Sequence, residues 1–389
     1  MDVLFNVKVA LSFSGGLDTM VCLKLLQEKY GLEVVTVTVD VGQGRRVDPE
    51  LPERLGAIQH FNVEAKEEFV REYVNRCIKA NGSYEGYHLS ASLARYLIAS
   101  KVVEVARKVG AEALAHGCTG KGNDQFRFDI TFSILAPDLK IIAPVRELNL
   151  DRKKELEYAR EKGLPLPPTG IYSIDENLWG RTIEGGVLED PSRPPPEEVF
   201  LWTKLIKTSP ERITVGFEGG IPVSLNGERM DGVSLITTLN QLAGAHGVGR
   251  IDIMEDRILG LKAREVYEAP AATVLLEAHR ALEQLVLTRN QIALKQSLEQ
   301  RWSELVYCGL WFDPLRENLD AFIDSTQQRV EGEVTVELGA GAFRVVARSS
   351  PFALYEKELV SFETLGFDQR ESAVVTRFQG LQSKLYRKK

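Results

Sequence analysis

Ser14, Gly15 and Gly16 stand between a short apolar run and a segment of helical spacing that opens with Leu17, Asp18 and Thr19. Residues of these types in this order suit the holding of a phosphate. Two adjacent glycines let backbone N–H groups approach an anion with no Cβ in the way. A helix N-terminus behind them adds unpaired N–H groups and the positive end of the helix dipole. Ser14 and Thr19 bring hydroxyl donors. The stretch has neither the Gly-Lys-Ser/Thr ending of a Walker loop nor the three glycines of a dinucleotide fingerprint. A second stretch, residues 116–127, reads HGCTGKGNDQFR. Asn123 and Asp124 suit helix capping. Capping accounts for one of them and leaves Gly117, Gly120 and Gly122 beside Lys121 unexplained. That glycine density fits backbone packed against a ligand. Residues 173–189, SIDENLWGRTIEGGVLE, are equally unusual for a connector, and Glu255 and Tyr267 lie in a stretch of alternating apolar and charged residues.

The elements around these stretches follow from periodicity. Val9, Leu11 and Phe13 alternate with small residues, as in a buried strand, while Leu17, Met20, Val21 and Leu25 follow at helical spacing. Residues 34–39 (VVTVTV) are β-branched on both faces, which predicts a central parallel strand. Asp48-Pro49 reads as an N-cap with proline in the first helical position. A strand is expected near 58–63, a helix through Phe69, Tyr73 and Cys77, and another over 92–109. Further strands are expected at 113–115 and 140–143, and a polar helix at 151–162 closed by Gly163. Such alternation implies a doubly wound, parallel five-stranded sheet with right-handed crossovers. With strand order 3-2-1-4-5, ligands bind where the order reverses, between the first and fourth strands. The two glycine-rich loops follow those two strands.

Residues 164–170 (LPLPPTG) break the pattern and set the expected boundary between domains 1–168 and 169–389. The second part is expected to be α+β. It opens with a polar loop over 173–190, has hairpins at Asn226-Gly227 and around 339–341, and carries one long or interrupted helix over 271–306. The basic end, from Tyr386 on, reads as solvated.

Composition narrows the class. A chain of 389 residues, 44% hydrophobic, can bury a sizeable core. Its net charge of −7, with signs interspersed, argues against nucleic acid as the main partner. No apolar run approaches membrane-spanning length, and no secretory leader pattern stands at the N-terminus. Cys22, Cys77, Cys118 and Cys308 are scattered without a CxxC pair, which suits reduced thiols in a cytoplasmic protein.

SGGLDT resembles the pyrophosphate loop of the ATP-pyrophosphatase superfamily, whose members split ATP to AMP and pyrophosphate. Taken together, SFSGGLDT, YHLSASLAR, HGCTGKGNDQFRF, SIDENLWGR, EGGVLEDP, HGVGRIDIMEDR and SPFALYEKEL stand in the order and near the spacing of the argininosuccinate synthase family. The resemblance covers nearly the whole chain. It implies an adenine-nucleotide α-hydrolase-like N-terminal domain, and a C-terminal catalytic and multimerisation domain with a C-terminal oligomerisation segment. It implies a ligase of arginine biosynthesis that joins L-citrulline to L-aspartate through a C–N bond. ATP with Mg²⁺ is a substrate, and no tightly bound organic cofactor is expected. A cytoplasmic homotetramer acting on small molecules is implied, with no nucleic-acid or membrane partner.

The resemblance also assigns roles. Ser12, Phe13, Ser14, Gly15, Gly16, Leu17, Asp18, Thr19, Val39 and Gly117 would line the ATP site. Thr119, Asn123 and Asp124 would bind aspartate. Tyr87, Ser92, Asn123, Arg127, Ser173, Thr182, Glu255 and Tyr267 would bind citrulline. No metal ligand is assigned, and Asp124 is the candidate to steer or accept the proton of the aspartate amine. These types fit their tasks: Arg127 and serine hydroxyls suit a carboxylate, while Asp124 and Glu255 suit ammonium or ureido N–H groups. Met20, where the family often has serine, loses a hydroxyl; Thr182, also a common serine position, keeps one. Rival readings are another ATP-pyrophosphatase, such as a tRNA thiolase or an amidotransferase-type synthetase, and a non-catalytic nucleotide-binding paralogue. A thiolase should bring a reactive cysteine pair and a basic domain; an amidotransferase should bring a glutaminase domain. Neither is visible in the sequence.

Overall fold

The computed structural model describes residues 7–44, 47–166 and 172–388. The first part is built on β1 (Lys8–Ser12), β2 (Glu33–Asp40), β3 (Gln59–Glu64), β4 (Ala113–Ala115) and β5 (Lys140–Ile142), all parallel, in the order β3-β2-β1-β4-β5. Strand alternation gives the sheet its two faces. Val9 and Leu11 pack against α1 (Leu17–Glu28), while Ala10 faces the larger core that holds Leu93, Leu97 and Val102 of α2 (Ser90–Val109). Because both faces are covered, five of the eight residues of β2 are buried, Thr36 among them, as in a central parallel strand. α3 (Asp124–Leu135) follows β4, and α4 (Arg152–Glu161) is capped by the Asp151 carboxylate, which accepts from Lys154 N at 2.8 Å. Gly163 ends that segment at φ 63°.

Two local expectations need correction. Asp48-Pro49 does not start a helix: the Asp48 carboxylate accepts from Glu50 N, and a single helical turn follows at Leu51–Arg54. Residues 173–190 are not a polar loop. They form β6 (Ser173–Asn177), β7 (Gly180–Glu184) and a short 3₁₀ turn, Gly186–Glu189. Pairing with a later strand stabilises this hairpin, and nothing in its own sequence announces that partner. The expected boundary at 168/169 lies outside the described residues.

The second part has two antiparallel sheets. One runs β11 (Arg250–Asp256), β12 (Lys262–Glu268), β7, β6. The other contains β8 (Glu211–Glu218), β9 (Ile221–Leu225), β10 (Glu228–Arg229), β13 (Gly332–Gly339) and β14 (Ala342–Ser349), ordered β10-β9-β8-β13-β14. Asn226 and Gly227 take φ 53° and 81° in the tight turn between β9 and β10. α5 (Gly232–Ala245) precedes β11. The long helical stretch is interrupted: α6 (Pro270–Val286) stops and α7 (Arg289–Tyr307) restarts at Thr288. There the Thr288 hydroxyl accepts from Gln291 N, and the Gln291 side chain accepts from Thr288 N. α8 (Pro314–Gln327) completes the helices that pack on this part.

The two parts share one core. Tyr73 stacks on Trp311 at 4.6 Å, Cys77 and Val74 pack with Leu235, Leu275 and Trp302, and Leu178 N donates to Val41 O across the joint. α6 is buried within this core. Residues 351–388 behave differently. All are exposed except the half-buried Ser361, among them Phe362, Leu365, Val375, Phe378 and Tyr386. Among the described residues no helix is long and apolar enough to cross a membrane.

Candidate active site

β1 and β4 are paired neighbours, Val9 against Ala113 and Leu11 against Ala115, so their outgoing loops leave the sheet side by side. The contact between those loops is direct. A Cβ placed on Gly117 would lie 3.1 Å from the carbonyl carbon and oxygen of Asp18 and 3.3 Å from Thr19 N. Gly15, at φ 69°, makes the turn into α1. Thr38 Oγ1 pins the exit of β1 by donating to Phe13 O at 2.7 Å. Among the described residues, the N–H groups of Gly15, Leu17, Asp18 and Thr19 meet no protein acceptor, nor do those of Gly117, Thr119, Gly120, Lys121 and Asn123. Unpaired donors of two loops that meet at Gly117 thus stand beside a helix N-terminus, the kind of place that suits an anion. Ser14 Oγ and Thr19 Oγ1 stand 3.3 Å apart at its edge. Phe13, Leu17 and Val39 turn their side chains into the core, so only their backbone can face a nucleotide.

The residues expected to hold the two amino acids gather beside these loops. Tyr87 stacks on Tyr267 at 4.4 Å, and its hydroxyl accepts from Ala91 N and Ser92 N at the start of α2. Tyr267 Oη donates to Glu255 Oε2 at 2.5 Å, and Tyr307 Oη donates to Glu255 Oε1. Asn123 Nδ2 donates to Tyr307 Oη at 2.7 Å and reaches Glu255 Oε1 at 3.4 Å, while its Oδ1 accepts from Ile258 N at 3.0 Å. Asn123 occupies the N-cap position of α3, yet its side chain makes no capping bond. The cap is forgone for this cluster. Buried Arg127 donates to Tyr307 O through Nε and Nη2, and to Asp124 Oδ1 at 2.9 Å. Arg95 bridges Asp124 Oδ2 and Asp175 Oδ2, each at 2.8 Å.

Charge and burial fix the ionisation of these groups. Burial works against the charge on Asp124, but Arg95 and Arg127 hold its carboxyl below the ordinary range. Its side chain is still 30% exposed, while its two oxygens accept from Arg95 and Arg127. Burial, reinforced by the charge on Glu255, pushes the Tyr307 and Tyr267 phenols up. They stay protonated and donate to that carboxylate. Two hydroxyls are left over. Ser92 Oγ and Thr182 Oγ1 are buried with no hydrogen-bond partner, a state that is costly unless a ligand completes it.

Thr182 lies opposite Tyr267 on β12 and Asp175 on β6, which ties it to the Glu255 and Arg95 groups. Ser173 shares the Asp175 face of β6 but is exposed at the strand's start, and among the described residues its side chain has no hydrogen-bond partner. Thr119 is half-buried. Sequence reasoning missed Tyr307 and Arg95. Arg95, one helical turn after Ser92, could have been found from that spacing. Tyr307 carried no local signal.

A parallel sheet with this strand order, a glycine turn of unpaired amides and a hydrogen-bonded cluster of hydroxyl, amide and carboxylate groups beside it define a nucleotide-dependent enzyme of the pyrophosphate-loop type acting on small polar substrates. Residues 8–165 match the arginosuccinate synthase N-terminal HUP domain, and residues 172–386 match the arginosuccinate synthase C-terminal domain. The argininosuccinate synthase of Methanocaldococcus jannaschii is 58% identical over 382 residues, covering 97% of each chain. That of Methanothermobacter thermautotrophicus is 55% identical over 99% of this chain and 98% of its own. For Archaeoglobus fulgidus the figures are 56%, 98% and 99%. The chain belongs to the argininosuccinate synthase family.

Proposed function

We propose that the protein joins L-citrulline to L-aspartate with conversion of ATP to AMP and pyrophosphate. The observation that supports this reading is the contact of Gly117 with the Asp18–Thr19 backbone, which brings two distant glycine-rich loops together beside a helix N-terminus. Ser12–Thr19, Val39 and Gly117 bind ATP, and Mg²⁺ arrives on its phosphates. Thr119, Asn123 and Asp124 hold aspartate. Tyr87, Ser92, Asn123, Arg127, Ser173, Thr182, Glu255 and Tyr267 hold citrulline. The two orphaned hydroxyls, Ser92 and Thr182, gain partners from that ligand.

A ureido carbon is a poor electrophile because nitrogen lone pairs delocalise into it. Attack of the ureido oxygen on the α-phosphorus forms a P–O bond and breaks the bond to pyrophosphate. The amine of aspartate then adds to the activated carbon, AMP departs with the former ureido oxygen, and the amine proton is released. Unpaired loop amides offset the charge growing on pyrophosphate, and the pocket fixes the reactants in line. Asp124, held ionised by Arg95 and Arg127, suits binding of the aspartate ammonium; its lowered pKa makes it a weak proton acceptor. This refines the role expected of it.

In this reading residues 1–168 carry the nucleotide and 169–389 complete the amino-acid site. The apolar residues exposed along 351–388 contact other subunits of a homotetramer in the cytoplasm. Incubation with ATP, citrulline and labelled aspartate tests the reaction. Labelled argininosuccinate with stoichiometric pyrophosphate supports it; nucleotide binding without either product leaves a non-catalytic paralogue.

A further inference from the structure

Behind the second glycine loop lies a chain of side chains that the reaction does not call on directly. Cys118 N donates to His116 Nδ1 at 3.2 Å. A backbone N–H can only donate, so His116 carries its hydrogen on Nε2 and gives it to Asp129 Oδ1 at 2.8 Å. Asp129 Oδ2 accepts from Arg146 Nη1 at 2.6 Å, and the same nitrogen donates to Gln125 Oε1 at 3.0 Å. This fixes the amide orientation of Gln125, which is 5% exposed. Its Nε2 donates back into the loop, to Gly120 O at 2.7 Å and Gly122 O at 3.2 Å. The chain therefore starts and ends in the same loop, with every bond direction determined. The Arg146 stem also covers Gly120, where an added Cβ would lie 3.4 Å from its Cγ.

Peptide planarity turns this into an effect on the site. In a trans peptide the N–H points opposite to the C=O of the preceding residue. Drawing the carbonyls of Gly120 and Gly122 toward Gln125 turns the N–H groups of Lys121 and Asn123 the other way, and neither has an acceptor among the described residues. We propose that Gln125, Arg146, Asp129 and His116 are positioning residues that lock this loop and aim the Lys121 and Asn123 amides at a carboxylate of the amino-donor substrate. The aspartate part of this inference rests on the function proposed above.

Gln125→Met keeps the volume and removes both loop bonds; Arg146→Met cuts the chain one step back. Arg146→Lys restores a cation in place of the one nitrogen that makes both bonds, and is the rescue. In steady-state pyrophosphate release, Gln125→Met and Arg146→Met raise KM for aspartate about tenfold or more, the scale of one charged hydrogen bond. KM for citrulline stays within about twofold, and Arg146→Lys recovers most of the loss. A uniform rise in all three KM values, or an unmoved KM for aspartate, overturns the carboxylate role. A readout without substrates uses exposed Lys121 in the loop. Trypsin cuts there about tenfold faster in Gln125→Met, while other sites keep their rates. Unchanged cleavage at Lys121 overturns the brace itself, even if the wild-type protein forms no argininosuccinate.

Discussion

Gly117→Ala puts the convergence of the two loops under direct strain. The added methyl would sit 3.1 Å from the Asp18 carbonyl carbon and oxygen and 3.3 Å from Thr19 N. Comfortable carbon contacts begin near about 3.5 Å, so roughly 0.4 Å must be found. Gly117 is not in the left-handed region, so alanine carries no backbone penalty of its own there. The opposing atoms are backbone at the first turn of α1, and Leu17, Met20 and Val21 anchor that turn in the core. The glycine loop must therefore give way. Overpacking of this kind costs about 1–3 kcal/mol. If that falls on the phosphate-holding geometry, kcat/KM for ATP drops by about 5- to 150-fold. The assay is pyrophosphate release with ATP varied at saturating aspartate and citrulline, alongside thermal unfolding. Gly339→Ala, whose methyl would have its nearest neighbour at an ordinary 3.8 Å, is the control and leaves both unchanged. A Gly117→Ala protein with wild-type kcat/KM for ATP would refute the idea that the loops act on one nucleotide.

Tyr307→Phe preserves the 3.7 Å stack on Tyr84 but removes a donor to Glu255 and the acceptor of Asn123. Loss of a bond to a charged group costs about 1.5–3 kcal/mol. We expect kcat/KM for citrulline to fall about 10- to 150-fold with KM for ATP unmoved; equal losses toward both substrates would count against that assignment. Glu155 on α4 is buried with Oε1 unpartnered, and burial together with Asp18 pushes its carboxyl up to about 8. The folded chain therefore holds a proton that the unfolded chain releases near the ordinary value of 4.5, and stability declines as pH rises from there through about 8. Glu155→Gln mimics the protonated form and flattens the dependence of Tm on pH across that window; a wild-type slope in the variant would contradict this account.

Much of the first part was legible because its signals are local. A β-branched run covered on both faces, a glycine turn and an amphipathic helix each announce themselves within a few residues, and the crossover rule then orders the strands. That order alone sets the two glycine-rich loops side by side. The 173–190 hairpin was not legible, since its strands are short and polar and gain their stability from β12, about eighty positions further on. The same holds for Asn123. Its residue type and position predict a helix cap, but its amide turns instead to Tyr307, 184 positions away. Composition and spacing thus determined the class of fold and the places where backbone must meet an anion. Which side chains complete the pocket was decided by packing and register, because hydrogen-bond partners brought together across the chain leave no trace in the residues beside them.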